Sequence, residues 1–257
     1  MTEGGCGVFH HNLDDEVEKQ IFVKWYLLSF LAGNVNAGGF LSAGRFVSHV
    51  TGFATLFGVG IADGNFDQAA GILAIPAFFL AGAMISAYLI DHRFQKGQRP
   101  HYDWVMLIEF TCLVAVALLG HFRFFGVFGG SLKLKEDFIL LALLCLACGL
   151  QNGAVTTGTG ASVRTTHLTG LTTDLGIGLV RVWGMPHSGK DFRREVRSNW
   201  LRIGTIISFA AGSVVAAVLF AQVKYLGFFL PAAIAFYAMI QARKEQAQPH
   251  SPVTDVI

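Results

Sequence analysis

"SHVTGFATLFGVGI", residues 48–61, has a near-copy further along the chain: "THLTGLTTDLGIGL", residues 166–179. Aligning 46–61 with 164–179 gives six identities: His49/His167, Thr51/Thr169, Gly52/Gly170, Thr55/Thr173, Gly58/Gly176 and Gly60/Gly178. Average residue usage yields about one or two over such a length. Each copy is too polar for a good membrane helix and too apolar for a loop. The likeness extends outward on both sides. Upstream, Gly33-Asn34-Val35-Asn36-Ala37 lines up with Gly149-Leu150-Gln151-Asn152-Gly153. Downstream, "FLAGAMISA" (79–87) lines up with "FAAGSVVAA" (209–217). The chain therefore reads as two repeated halves, 20–122 and 136–242. Each holds a long helix, the short polar segment and two further long helices. Together they make one membrane domain between the tails 1–19 and 243–257.

The surroundings of the repeat explain why it must sit in a membrane. The 257 residues are 53% hydrophobic and 14% charged, where a soluble domain has about 25% charged residues; the mean hydropathy is +0.52. Apolar residues come in long blocks, such as "AAGILAIPAFFLAGAMISAYLI" (69–90), "WVMLIEFTCLVAVALLG" (104–120) and "FILLALLCLACGL" (138–150). A helix crosses the hydrocarbon core with about 20 such residues. A soluble helical domain would need charges on the outer face of each helix, which these blocks lack. The expected fold is all-α: a polytopic integral membrane protein with six long transmembrane helices plus two short polar segments, re-entrant or short-spanning. The acidic N-terminus, with Asp14, Asp15, Glu16 and Glu18, does not read as a signal peptide. The net charge of +2 is too small to point to nucleic acid.

Basic residues favour the inner side of a membrane. With re-entrant segments and an inner N-terminus, 14 of the 19 Lys and Arg residues fall inside. With spanning segments the balance, after re-sorting, is nearly as good. Charge alone thus leaves the two open, though both place the two termini in the cytoplasm of a plasma (inner) membrane.

Polar and irregular backbone is tolerated at membrane depth only where protein or water covers it. Thr51, Thr55 and Gly58 share one helical face, as do Thr169, Thr173 and Gly176. These stripes should face each other or a cavity. The small pairs Gly33/Ala37 and Gly149/Gly153 should let helices approach closely. The competing reading is simple packing, with each threonine bonded to the carbonyl four residues back. Asn36, Asn152, His49, His167 and Asp174 exceed what packing needs, and intramembrane polar groups tend to be functional. The candidate solute or ion pathway is Asn36, His49, Thr51, Thr55, Asn152, His167, Thr169, Thr173 and Asp174. The histidines are expected at the starts of their short helices as neutral hydrogen-bonding groups. Asp174, if buried, would be the proton-exchanging member. Glu109 reads as a residue reaching water near an interface, or else as a proton site or the partner of a basic group. Cys145-x-x-Cys148 reads as small packing residues rather than a redox pair. Pro76 and Pro231 are expected to kink their helices.

At these motifs the sequence resembles the YoaK-like family of bacterial membrane proteins, catalogued as a domain of unknown function (1275). The family pattern is an Asp-containing helix end and His-x-Thr-Gly-Asn in the first half. In the second it is Gly-x-Gln-Asn-Ala followed by Thr-x-x-Thr-Gly. "GNVNAGGF", "SHVTGF", "GLQNGAV" and "TTHLTGLTTDLG" match most of it, over nearly the whole chain outside the tails. There are two departures: Asn36 stands where the family usually has Asp, and Phe53 where it usually has Asn. An ion-carrying role for that acidic residue would be lost here, or moved to Asp174. The resemblance implies a fold and no activity.

Three functions compete. The leading one is a small permease with a site between the halves, since matched motifs in both are what a pseudo-symmetric pathway needs. An intramembrane enzyme lacks support: no serine elbow, His-Glu-x-x-His or phosphate loop is present, and no catalytic residue is assigned. The third is a structural or regulatory membrane protein, for which the basic stretch "HSGKDFRREVRSNW" (187–200) could meet anionic lipid. No cofactor or metal site is expected. The expected partners are the lipid bilayer and an unknown small solute, with homo-oligomers allowed.

Overall fold

A chain in lipid must bond every N–H and C=O internally, and an apolar run does that as a helix. The computed structural model describes residues 19–130, 135–158, 167–187 and 189–247, and every regular element among them is helical. The tails 1–18 and 248–257, Lys133 and Arg164, and the first residues of the second motif copy (164–166) lie outside the described residues. The elements are α1 (Lys19–Ala43), α2 (Val50–Ala62), α3 (Phe66–Leu89), α4 (Asp91–Gln95), α5 (Tyr102–His121), α6 (Lys135–Gly158), α7 (Leu168–Gly184), α8 (Lys190–Val223) and α9 (Phe229–Ala247). A 3-10 turn, Lys224–Phe228, joins α8 to α9.

Local chemistry sets several boundaries. Gly44 closes α1 with φ of +65°, its N–H bonded to the Phe40 carbonyl, a left-handed position where a Cβ would be strained. Pro76 lies inside α3, which continues through it. Pro231 does not interrupt a helix as expected. It is the third residue of α9, where no intrahelical partner awaits its missing N–H. Within the basic stretch 187–200, Lys190–Trp200 forms the first three turns of α8.

Three stretches among the described residues are long and apolar enough to cross a membrane: Tyr102–His121, Phe138–Gly158 and one within Lys190–Gln246. The chain is thus an all-helical protein with membrane-spanning character.

Two helix pairs dominate the packing. α1 lies along α8, and α3 along α6. In the first pair, Tyr26 donates to the Trp200 carbonyl (3.1 Å), Asn34 Nδ2 donates to the Gly212 carbonyl (3.4 Å) and Gly38 meets Phe220. Contacts advance together in both sequences, so the helices run parallel. In the second pair, Gly149 meets Phe79 and Gly153 meets Ser86, again in parallel. A Cβ at Gly33 would collide with the Phe209 carbonyl, and one at Gly149 with the Phe79 carbonyl. The small residues flagged in the sequence are thus where backbone meets backbone. Phe79 and Phe209 are themselves aligned positions.

α5 fills the space between α6 and α9. A larger apolar core includes Leu31, Cys112, Leu144, Cys145, Cys148 and Phe220. A second is built on Trp25, Met106, Leu150, Leu201 and Met239. Cys145 and Cys148 are buried free thiols, and Cys145 Sγ donates to the Val47 carbonyl at 3.2 Å.

The bundle has two distinct ends. At one, Lys24 pairs with Glu245 (3.0 Å), Arg243 with Asp103 (3.5 Å), and Arg99 Nη1 donates to the Gln246 carbonyl (2.6 Å). The start of α1, the α4–α5 connection and the end of α9 therefore share one face. At the other, the Gly129 N–H donates to the Ser42 carbonyl and the Tyr225 hydroxyl to the Gly126 carbonyl.

Candidate functional site

His49 and His167 occupy matched places. Each is the N-cap residue of its short helix, with φ, ψ of −106°, 80° and −100°, 62°. Each ring folds back over the glycine three residues on, Gly52 or Gly170. His49 Nε2 lies 2.7 Å from Thr51 Oγ1. The threonines behave alike too: Thr55 donates to the Thr51 carbonyl (3.1 Å), and Thr173 to the Thr169 carbonyl (3.0 Å). These hydroxyls satisfy themselves within their own helix, as the packing alternative anticipated.

Asn36, partly buried near the end of α1, accepts the Ser48 N–H (3.2 Å) and the Ser48 hydroxyl (2.9 Å) on Oδ1. It pins the loop that delivers His49. An aspartate there would accept the same bonds. Asn152 is partly buried on α6.

Each motif helix buries one large apolar residue, while others, such as Val59 on α2 and Val180 on α7, are exposed. Phe53 on α2 and Leu171 on α7, aligned residues, are each 3% exposed. His49, Thr51, Thr55, His167, Thr169, Thr173 and Asp174 are all exposed. α2 packs on α3 and α7 on α8, and the two do not pack on each other among the described residues. The structure thus joins Asn36 to Ser48, and His49 to Thr51 and Thr55, but leaves the two motif groups apart. Asp174 lacks the burial on which its proton-exchanging role depended, because it sits on the outer face of α7 with the threonine stripe.

α7 is held by a feature with no counterpart in the first half. Gly178 seats against Asn199, Arg202 and Glu195 of α8. Arg202 Nη1 donates to Glu195 (3.0 Å) and to Asn199 Oδ1 (2.7 Å). The aligned Gly60 of α2 seats against Ala69 instead.

The deepest polar groups lie elsewhere, around the last turns of α6. Gln151 is fully buried; its Nε2 donates to the Leu28 carbonyl of α1 (2.6 Å) and its Oε1 has no partner. Gly153 seats against Ser86 of α3, whose buried hydroxyl also lacks a partner. Thr156 Oγ1, one turn beyond, is unpartnered as well. One turn before, Cys148 lies within electrostatic reach of Glu109 on α5. Glu109 is 1% exposed with Oε2 unpartnered, not a residue reaching water. Asn34 Oδ1, between α1 and α8, is also unpartnered. Buried polar atoms are nearly always bonded in folded proteins, so these unpartnered atoms stand out among the described residues.

Sequence reasoning passed over Gln151, Asn34 and Ser86 as site residues. The first two stand inside the aligned motif segments, so the signal was present. The neighbouring asparagines Asn36 and Asn152 drew attention because they matched each other.

The family described as "Protein of unknown function (DUF1275)" matches residues 25–241, which covers the described bundle almost end to end. The chain belongs to that family. The DUF1275 match takes in both motif helices and every buried polar residue around α6. No curated protein and no solved structure matches the chain.

Proposed function

We propose that this chain is a small permease, not an enzyme, that passes a small polar or ionic solute between two inverted repeat halves. The observation that carries the reading is the set of unpartnered buried polar atoms on α6 and on the helices against it: Gln151 Oε1, Ser86 Oγ, Thr156 Oγ1 and Glu109 Oε2. An inert membrane bundle gains nothing from such groups, since each unmet atom costs about 1–3 kcal/mol. A solute or water passing along α6 would satisfy them.

Several features support the inverted duplication. The parallel pairs α1/α8 and α3/α6 exchange under an operation relating the halves, as do Gly33 and Gly149, Phe209 and Phe79, and His49 and His167. α2, with 13 residues, is about 20 Å long, short of the roughly 30 Å hydrocarbon core; α7 falls short too. The α4–α5 connection shares a face with both chain ends, which three crossings per half allow and four do not. This supports re-entrant α2 and α7, six crossings, and cytoplasmic termini in the inner membrane.

The test is flux. Purified protein in liposomes is challenged with a panel of small polar solutes and salts, and swelling or uptake is followed by stopped-flow light scattering. Flux above that of protein-free vesicles, reduced in Gln151→Leu, is expected. Wild-type vesicles as tight as empty ones across the panel would favour the structural reading instead. One observation lends that second reading weight: the polar stripes of α2 and α7 are left uncovered by the rest of the chain.

A further inference from the structure

Glu109 stands alone in the α5 apolar block, and its surroundings are specific. One turn before it on the same face, Val105 and Met106 belong to the second apolar core; just after it, Cys112 and Leu113 belong to the larger one. The carboxyl sits at the seam between them, 1% exposed, within electrostatic reach of Cys112 on its own helix and Cys148 on α6. No cation pairs with it among the described residues.

The groups on the elements packed against α5 are accounted for. α6 offers Cys145 and Cys148, both buried thiols. On α9, Arg243 is paired with Asp103, Glu245 with Lys24, Tyr237 accepts from Gln241, and Lys244 is exposed. Tyr225 of the 3-10 turn bonds to Gly126, and Tyr88 of α3 is exposed and stacks on His92. An ionised carboxylate in such a place would be an uncompensated buried charge. A hard cation would need several oxygen ligands, and thiols are the nearest titratable partners. A proton needs only the carboxyl itself.

Polar groups also stand at the start of α5. Asp103 lies six residues earlier on α5, about 9 Å along the helix. It is largely buried and holds Arg243 (3.5 Å), Gln246 Nε2 (3.1 Å) and His101 Nδ1 (3.6 Å). The His101 side chain is 30% exposed at the face that gathers both chain ends. His101 and Asp103 thus form a polar group at the start of α5, about two turns before Glu109.

We propose that Glu109 is a proton-binding site that exchanges with the face holding His101 and Asp103, and that this proton drives solute movement. The coupling half of this proposal rests on the permease reading; the binding half does not. Asp103 acts as a positioning residue for the route.

Infrared difference spectroscopy of the full chain in liposomes tests the binding half. A protonated-carboxyl band is expected that is absent in Glu109→Gln, a substitution that keeps shape. Its shift on transfer to D₂O is expected to slow several-fold in Asp103→Asn. Absence of any band assignable to Glu109 would overturn the site, and an unchanged exchange rate in Asp103→Asn would overturn the route. Solute uptake in the same vesicles tests coupling: a pH gradient is expected to drive accumulation in wild type and not in E109Q. Gradient-driven accumulation that survives in E109Q overturns the coupling and leaves the permease standing. A Glu109 band in vesicles that move no solute overturns the permease and upholds the proton site.

Discussion

At the scale of single residues, the glycines separate two kinds of role. Gly33 and Gly149 face a neighbouring backbone that cannot withdraw, whereas Gly58 and Gly176 have nothing within 4 Å of a built Cβ. Gly33→Ala and Gly149→Ala are therefore expected to lower stability alike, by about 1–3 kcal/mol each through overpacking. Gly58→Ala and Gly176→Ala should be neutral or stabilising by up to about 1 kcal/mol, because alanine favours the helix. Thermal unfolding of the four variants in detergent checks this. Destabilisation by Gly58→Ala as large as that by Gly149→Ala would mean that the outer face of α2 is covered by something other than this chain. The residue scale also explains why Asp174 and Glu109 exchange importance. Asp174 was singled out because it breaks the symmetry of a motif, yet its helix turns that face away from the bundle. Glu109 belongs to no motif, yet it is 1% exposed inside the bundle.

At the scale of elements, the short helices are positioned by what precedes them. α2 begins where it does because Asn36 reaches back from α1 to hold Ser48 through two hydrogen bonds. Losing both partners at once should cost about 1–3 kcal/mol locally. Asn36→Ala is expected to speed amide exchange over residues 45–55, measured by hydrogen–deuterium exchange with mass spectrometry. Asn36→Asp, which keeps the acceptor, should retain most of the protection. Equal loss of protection in both variants would show that the amide nitrogen, not Oδ1, holds the loop. α7 is held differently, by the Glu195–Asn199–Arg202 group beneath Gly178. The two motif helices therefore need not loosen under the same conditions, although their sequences match.

At the scale of the whole molecule, the two ends of the bundle carry different charge. The end that holds Lys24, Arg99 and Arg243 collects most of the basic residues, and the other keeps Arg45, Arg123 and Lys224. Because basic residues are retained inside, a cysteine placed at Arg194 should resist a membrane-impermeant maleimide in intact cells. One placed at Arg123 should react. Strong labelling at 194 from outside would reverse the orientation while leaving the bundle unchanged.

The sequence by itself determined the helical class, the membrane character, the two aligned motif segments and the sites of closest helix approach. These follow from apolar run length and from the absence of a side chain, which are properties of a residue and its near neighbours. The threonines bond within their own helices, as the packing alternative to the pathway reading had it, since that bond reaches only four residues. Which polar groups are buried was not legible. Burial is decided by which face of a helix meets which partner, and α1 with α8, or α5 with α6, are contacts between distant parts of the chain. A run that is apolar all round, as in α5, carries no moment to mark its inner side, so nothing local distinguished Glu109 from an interface residue. Only the tertiary packing set α1, α3 and α5 against α6, and so buried the polar atoms of Gln151, Ser86, Thr156 and Glu109.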